Sequence, residues 1–153
     1  MNVEELLVRE LVRDLYARYN RSGDKGRIDE VAACFAEDGV LEVRNGFEAI
    51  GREQIRDALG EIARKNGSLA PPDGRSGRSV VRHLVASLLF ESVGTDRVES
   101  SAYYTVFHVD APDHWGTYRD VLVKVDGEWL FARRTVDVDG SREGSAKASI
   151  VVS

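Results

Sequence analysis

Three histidines, His83, His108 and His114, are the side chains in this 153-residue sequence best suited to carrying protons near neutral pH. Two of them fall inside runs rich in Val, Tyr, Phe and Thr, where side chains alternate between the faces of a strand. His83 shares its face with Val81, Val85 and Ser87, and His108 shares its face with Val106, Tyr104 and Ala102, so both can look inward. His114, beside Pro112 and Asp113, reads as a solvated turn residue. A carboxylate at the second nitrogen of an imidazole fixes its tautomer and raises its basicity, and Asp24, at the junction of two helical segments, is the candidate partner for His83. The same residues also fit a helix-capping aspartate and a hydrogen-bonded strand histidine, and spacing does not separate the two readings. Tyr19, Tyr103, Tyr104 and Tyr118 offer hydroxyls for a pocket or rings for core packing, and Val43 and Val85 offer apolar wall. Arg133 and Arg134 must place their side chains on opposite faces, one towards solvent and the other available for burial with Asp120. Phosphate loops, nucleophile elbows and paired metal ligands are absent from the sequence.

The elements that would position these groups change character midway. Val3, Leu6, Leu7, Leu11, Leu15 and Tyr19 recur at helical spacing until Ser22-Gly23, and Asp24 can then cap a shorter helix in which Ile28, Val31, Ala32 and Phe35 share a side. A turn at Asp38-Gly39 precedes a hairpin around Asn45-Gly46, with strands at 40–43 and 47–50. Helical period returns over 52–65 and ends at Asn66-Gly67. Residues 68–77, with two prolines and two glycines, read as a slack connection or a lid. Four long strands follow at 80–92, 97–110, 115–125 and 128–138, joined by turn residues, and their length calls for strong twist and a bulge. Helices followed by an antiparallel meander imply an α+β fold, a curved sheet wrapped around N-terminal helices with one pocket enclosed. The domain is expected to occupy residues 1–140, and 141–153 to form a tail that adds an edge strand or frays.

Composition fits one globular domain. The chain is 42% hydrophobic and 31% charged, with net charge −5, which disfavours nucleic acid and anionic membrane as partners. No apolar run reaches membrane-span length, and the charged first 21 residues do not read as a signal peptide, so a cytoplasmic protein is expected. The single cysteine, Cys34, excludes an internal disulfide and reads as a small buried helix residue; Trp129 and Phe131 read as core.

Leu15-Tyr16-Ala17-Arg18-Tyr19, the run from Val31 through Cys34-Phe35 to Gly39, and Ile50-Gly51-Arg52-Glu53-Gln54-Ile55 resemble the SnoaL-like branch of the nuclear transport factor 2-like superfamily. Arg82-His83, Gly116-Thr117-Tyr118-Arg119-Asp120 and Val125-Asp126-Gly127-Glu128-Trp129-Leu130-Phe131 fit the same pattern, so that the likeness runs from about residue 4 to 139. The resemblance implies a cone-shaped α+β barrel with a deep pocket, often dimeric through its outer sheet face. Its pocket lyases, scytalone dehydratase, bile-acid 7α-dehydratase and lindane dehydrochlorinase, use a His–Asp pair to remove a proton and expel a leaving group. Their aspartate matches Asp24 and their histidine matches His83. Tyr19 stands where one of them carries a tyrosine, and His108 where another carries a second histidine. Departures fall on the recognition shell: Gly23, Val43, Gly116, Tyr118 and Val138 replace polar residues of those enzymes.

The expectation is therefore a lyase or isomerase of the dehydratase kind, free of cofactor and metal, acting on a mostly apolar cyclic or polyketide-like molecule. His83, Asp24, Tyr19 and His108 would carry the chemistry, and Tyr104, Tyr118, Val43, Val85 and Asp120 would contact substrate. Two other classes remain open. A small-ligand-binding protein would keep its affinity after His83→Ala, and an accessory scaffold like the small subunit of ring-hydroxylating dioxygenases would co-purify with a large iron-bearing subunit rather than stand alone as a homodimer.

Overall fold

The computed structural model describes residues 1–67 and 80–153. The expectation for residues 68–77 lies outside them. Helix α1 spans Val3–Asp24 and opens on Asn2, whose side chain accepts the Glu5 N–H at 2.8 Å. It runs through Ser22-Gly23, the expected break. The stop is Gly26, whose positive φ of 67° lets the chain reverse while the Gly26 and Arg27 amides donate to the carbonyls of Gly23 and Ser22. Asp24 thus does not cap α2: it is the last residue of α1, and α2 (Ile28–Ala33) begins without a side-chain cap. The buried face of α1 is also displaced from the expected one. Val12, Tyr16, Asn20 and Asp24, four residues apart, point inward with Leu15, whereas Val3, Leu6, Leu7 and Leu11 are exposed.

Strand β1 (Phe35–Val43) is longer than the four residues expected and takes Phe35 from the helix and Asp38-Gly39 from the turn. It has a register irregularity between Phe35 and Val40, at which Gly39 lies so close to the carbonyls of Ala36 and Phe131 that a Cβ would stand 2.9 Å from each. The hairpin to β2 (Phe47–Ile50) turns at Asn45 with φ 59°, and α3 (Arg52–Lys65) ends at Asn66, before Gly67 with φ 65°. Strands β3 (Arg82–Val93), β4 (Arg97–Phe107), β5 (Pro112–Val125) and β6 (Glu128–Ser141) form the antiparallel meander.

The described strands make one unclosed, curved sheet in the order β2-β1-β6-β5-β4-β3. The junction of β1 with β6 is parallel, so the sheet is mixed and not wholly antiparallel. The bulge expected from strand length sits at Ser87, with φ 53° and a register shift between Ala86 and Leu89. It turns Ser87 out to solvent, against the alternation expected from His83, and hands the inner face to Leu88 and Phe90. Val12, Leu15 and Tyr16 of α1 join Val98, Ala102, Tyr118, Leu122, Trp129 and Phe131 of the sheet in the core. Cys34 is buried there as a free thiol. After Ser141 the chain makes a short 3-10 turn at Ala148–Ile150 and a single parallel bridge from Val151 to Val138. Among the described residues no helix is long and apolar enough to cross a membrane.

Candidate active site

Between the sheet's inner face, the helices and residues 146–150 lies a cavity of about 520 Å³, within the usual range for small-molecule sites. Its walls are mostly apolar, with Ile28, Val31, Leu41, Val43, Phe47, Leu59, Val136 and Val138 among them. Polar side chains also line it, among them Tyr19, Asn20, His83, Tyr104, His108, His114 and Tyr118.

Carrying α1 through to Asp24 brings this carboxylate to the edge strand β3. Each Asp24 oxygen lies 3.2 Å from the His83 backbone N–H, and Oδ1 lies 2.6 Å from His83 Nδ1. A carboxylate only accepts, so the ring contact is an Nδ1–H donating to Asp24, which leaves the lone pair on Nε2. Among the described residues Nε2 has no hydrogen-bond partner, and the half-buried ring lies on the cavity wall. Asp24 is buried, and the backbone contacts hold it in one place; both are what an orienting carboxylate needs.

The tyrosines differ in how far they are committed. Tyr118 donates to Asn20 Oδ1 at 3.3 Å and stacks on Tyr104 with ring centroids 4.4 Å apart, while Tyr104 donates to the Asp137 carbonyl. Tyr19 packs edge-on against Phe35, Tyr118 and Phe131. Burial raises the pKa of all three, so these hydroxyls stay protonated and serve as donors, not bases.

Two of the expected contact residues are elsewhere. Asp120 is buried in the core, where its carboxylate takes both arms of the Arg134 fork and the Tyr16 hydroxyl, which leaves it no path to the cavity. Val85 packs on the core cluster and does not line the cavity. His108 lies just past the end of β4 and not within a strand; its side chain is 40% exposed at the cavity mouth, 3.6 Å from Asp113 Oδ1.

His114 is the residue that sequence reasoning placed wrongly. It is no solvated turn residue: β5 begins at Pro112, a first-strand position that proline tolerates, and His114 is a buried member of it. Counting back in twos from Tyr118 through Gly116 reaches His114 on the inner face, so the alternation carried the signal and Pro112-Asp113 hid it. Its Nδ1 lies 2.8 Å from Asp113 Oδ2, which also accepts the Ser145 hydroxyl at 2.7 Å, while Arg142 Nε reaches Oδ1 at 3.1 Å. Burial pulls the His114 pKa down, and Asp113 opposes this only in part. Burial works against ionisation of Asp113 as well, yet Ser145, His114, His108 and Arg142 together hold its pKa at about 2.

That depression makes a prediction. A carboxyl lowered in the folded chain stabilises it fully above its unfolded value, near pH 4, and loses the contribution as pH falls towards about 2. Asp113→Asn should therefore be less stable than the parent at pH 7, and the two should converge in urea midpoint across this acid window.

Among the described residues no three His, Cys, Asp or Glu side chains gather as a metal would require. The profile of the SnoaL-like domain matches residues 4–135. A putative scytalone dehydratase from Novosphingobium aromaticivorans is 22% identical and superposes with a TM-score of 0.79, over 99% of this chain and 97% of that one. LinA gives 17% identity and a TM-score of 0.75 over 93% and 94%. A Catenulispora acidiphila protein gives 28% and 0.75 over 90% and 96%. No curated protein sequence matches the chain.

Proposed function

The chain belongs to the SnoaL-like domain family, and from that premise we propose that it is a cofactor-free lyase or isomerase of the dehydratase kind acting on a mostly apolar cyclic or polyketide-like molecule. The observation that carries this reading is the 2.6 Å contact from His83 Nδ1 to Asp24 on the wall of a cavity of about 520 Å³. Nε2 of His83 takes a proton from a carbon activated by a carbonyl or a neighbouring leaving group. The freed electron pair forms the new double bond, and the leaving group departs with its own pair. Asp24 stabilises the imidazolium that results. Tyr19, held protonated by burial, donates towards the oxygen that gains negative charge, and His108 at the mouth exchanges protons with solvent. The neighbour named as a putative scytalone dehydratase supports the reaction class. Leu84, Leu89, Tyr103 and Trp115, exposed together on the outer sheet face, fit a homodimer contact.

The test is turnover of a panel of cyclic β-hydroxy ketones followed by loss of water. His83→Ala is expected to lower kcat by on the order of 10²–10⁴, the usual worth of general-base catalysis, and Asp24→Asn to lower it by less. Undiminished turnover in both variants would sink the reading. Binding of panel members without conversion, indifferent to His83→Ala, would assign the chain to the ligand-binding class.

A further inference from the structure

The register of three strands sets a second proton carrier opposite the first. His83 on β3 pairs with Val106 on β4, and Val106 pairs with His114 on β5. Side chains at paired positions of neighbouring antiparallel strands share a face, with Cα atoms about 5 Å apart. The two histidines therefore stand about 10 Å apart at Cα with one valine between them, and all three line the cavity.

His114 repeats the arrangement of His83. Asp113 has only acceptor sites, so His114 Nδ1 donates to it and Nε2, unpartnered among the described residues, is the nitrogen that takes up and gives a proton. The support is firm: Arg142 and Ser145 hold both oxygens of Asp113, and Tyr104 meets the His114 ring edge-on with centroids 6.1 Å apart. Pinning the tail onto β5 needs only Asp113 with Arg142 and Ser145, so it does not account for a buried imidazole facing a cavity.

We propose that His114 and Asp113 form a second acid–base pair that acts on the same bound molecule as His83, exchanging a proton at its oxygen while His83 works at its carbon. The proposal rests on the reading of His83 as base. It narrows the substrate to a molecule of one or two rings, with an acidic C–H on one side and a hydroxyl on the other. In the forward step the C–H proton goes to His83 Nε2 and the C–H pair becomes the C=C bond. The C–O bond breaks, and the His114 imidazolium gives its Nε2 proton to the hydroxyl, which leaves as water. One proton enters at His83 and one leaves at His114, so solvent exchange at the mouth resets both. His114 answers to Asp113 beside it, Arg142 and Lys147 of the tail, His83 across the cavity, and His108 and Asp110 at the mouth.

The test uses the full chain, 5-nitrobenzisoxazole as substrate and its ring-opened product, 2-cyano-4-nitrophenol, as ligand. Opening this ring breaks a C–H bond and an N–O bond, so it takes a base and develops negative charge on the departing oxygen, which a hydrogen-bond donor stabilises. Nitrogen-15 spectra of the three histidines, assigned with His83→Gln, His108→Gln and His114→Gln, should show His114 as the Nδ1–H tautomer. The product should move the ring signals of both His83 and His114. His114→Gln should lower kcat on the order of 10², with KM little changed, and abolish a basic limb below the ordinary histidine range. An Nε2–H tautomer for His114, or signals and kcat unmoved while those of His83 respond, overturns the second pair and leaves the first reading standing. Response at His114 alone removes His83 as base and overturns the two-pair proposal, leaving His114 with Asp113 as a single pair. Response at neither overturns both.

Discussion

Asp120→Ala is expected to cost about 3–5 kcal/mol of folding stability, because it strands a cation in the core. Arg134 has no exposed surface, and its Nε and Nη2 each lie 2.8 Å from an oxygen of Asp120. The guanidinium carbon sits 3.9–4.7 Å from the ring centres of Tyr16, Tyr19, Tyr118 and Phe131, an aromatic housing that favours a cation without replacing its counter-ion. Burial pushes the Arg134 pKa down and Asp120 more than restores it, so loss of the carboxylate leaves the desolvation uncompensated. At roughly 2–4 °C per kcal/mol for a chain of this size, the melting temperature should fall by about 6–20 °C. The double variant Asp120→Leu with Arg134→Met should recover most of the loss, since a buried ion pair exchanges for apolar packing at little net cost. Thermal unfolding of the three variants checks both statements, and a double variant as unstable as Asp120→Ala would contradict the account.

The second large effect falls on Gly116. A Cβ there would lie 1.8 Å from the Asp137 carbonyl oxygen and 2.9 Å from the Tyr104 hydroxyl, which itself donates to that oxygen at 3.0 Å. The register between β5 and β6 shifts at this point, and the missing side chain is what lets the strands close over the irregularity. Gly116→Ala should thus cost about 3 kcal/mol, the sum of overpacking and a broken buried hydrogen bond. Gly127→Ala is the control: φ is +85° but nothing lies within 4 Å of its Cβ, so only about 1–2 kcal/mol of backbone strain is expected. Gly116 has no positive φ, so a loss there no larger than at Gly127 would contradict the crowding account.

Most strands were legible because turn residues and period-2 alternation act locally, and the adjacent arginines 133 and 134 divided between solvent and core as alternation requires. The errors share one origin, in that a local signal was outranked by a neighbour in space. Ser22-Gly23 carries breaker residues, but the helix stops where Gly26 can adopt positive φ, and the continuation is what delivers Asp24 to His83. Pro112-Asp113 resembles a turn, yet pairing with β4 extends the strand back through it and buries His114. Asp120 has the residue type of a binding group, and a partner fourteen residues on consumes it. The parallel seam between β1 and β6 has no sequence signature, because it depends on where two distant strands meet.

That seam governs how the chain emerges during synthesis. The strand made last, β6, lies between β1 and β5 in the sheet. Until residues 128–141 have left the ribosome, the β2-β1 hairpin and the β5-β4-β3 meander have no strand to join them, and each presents a row of unpaired peptide groups. The nascent polypeptide carries the β1 margin through most of its translation and gains the β5 margin just before β6 is made, and the cavity comes into being only when that late strand seals both.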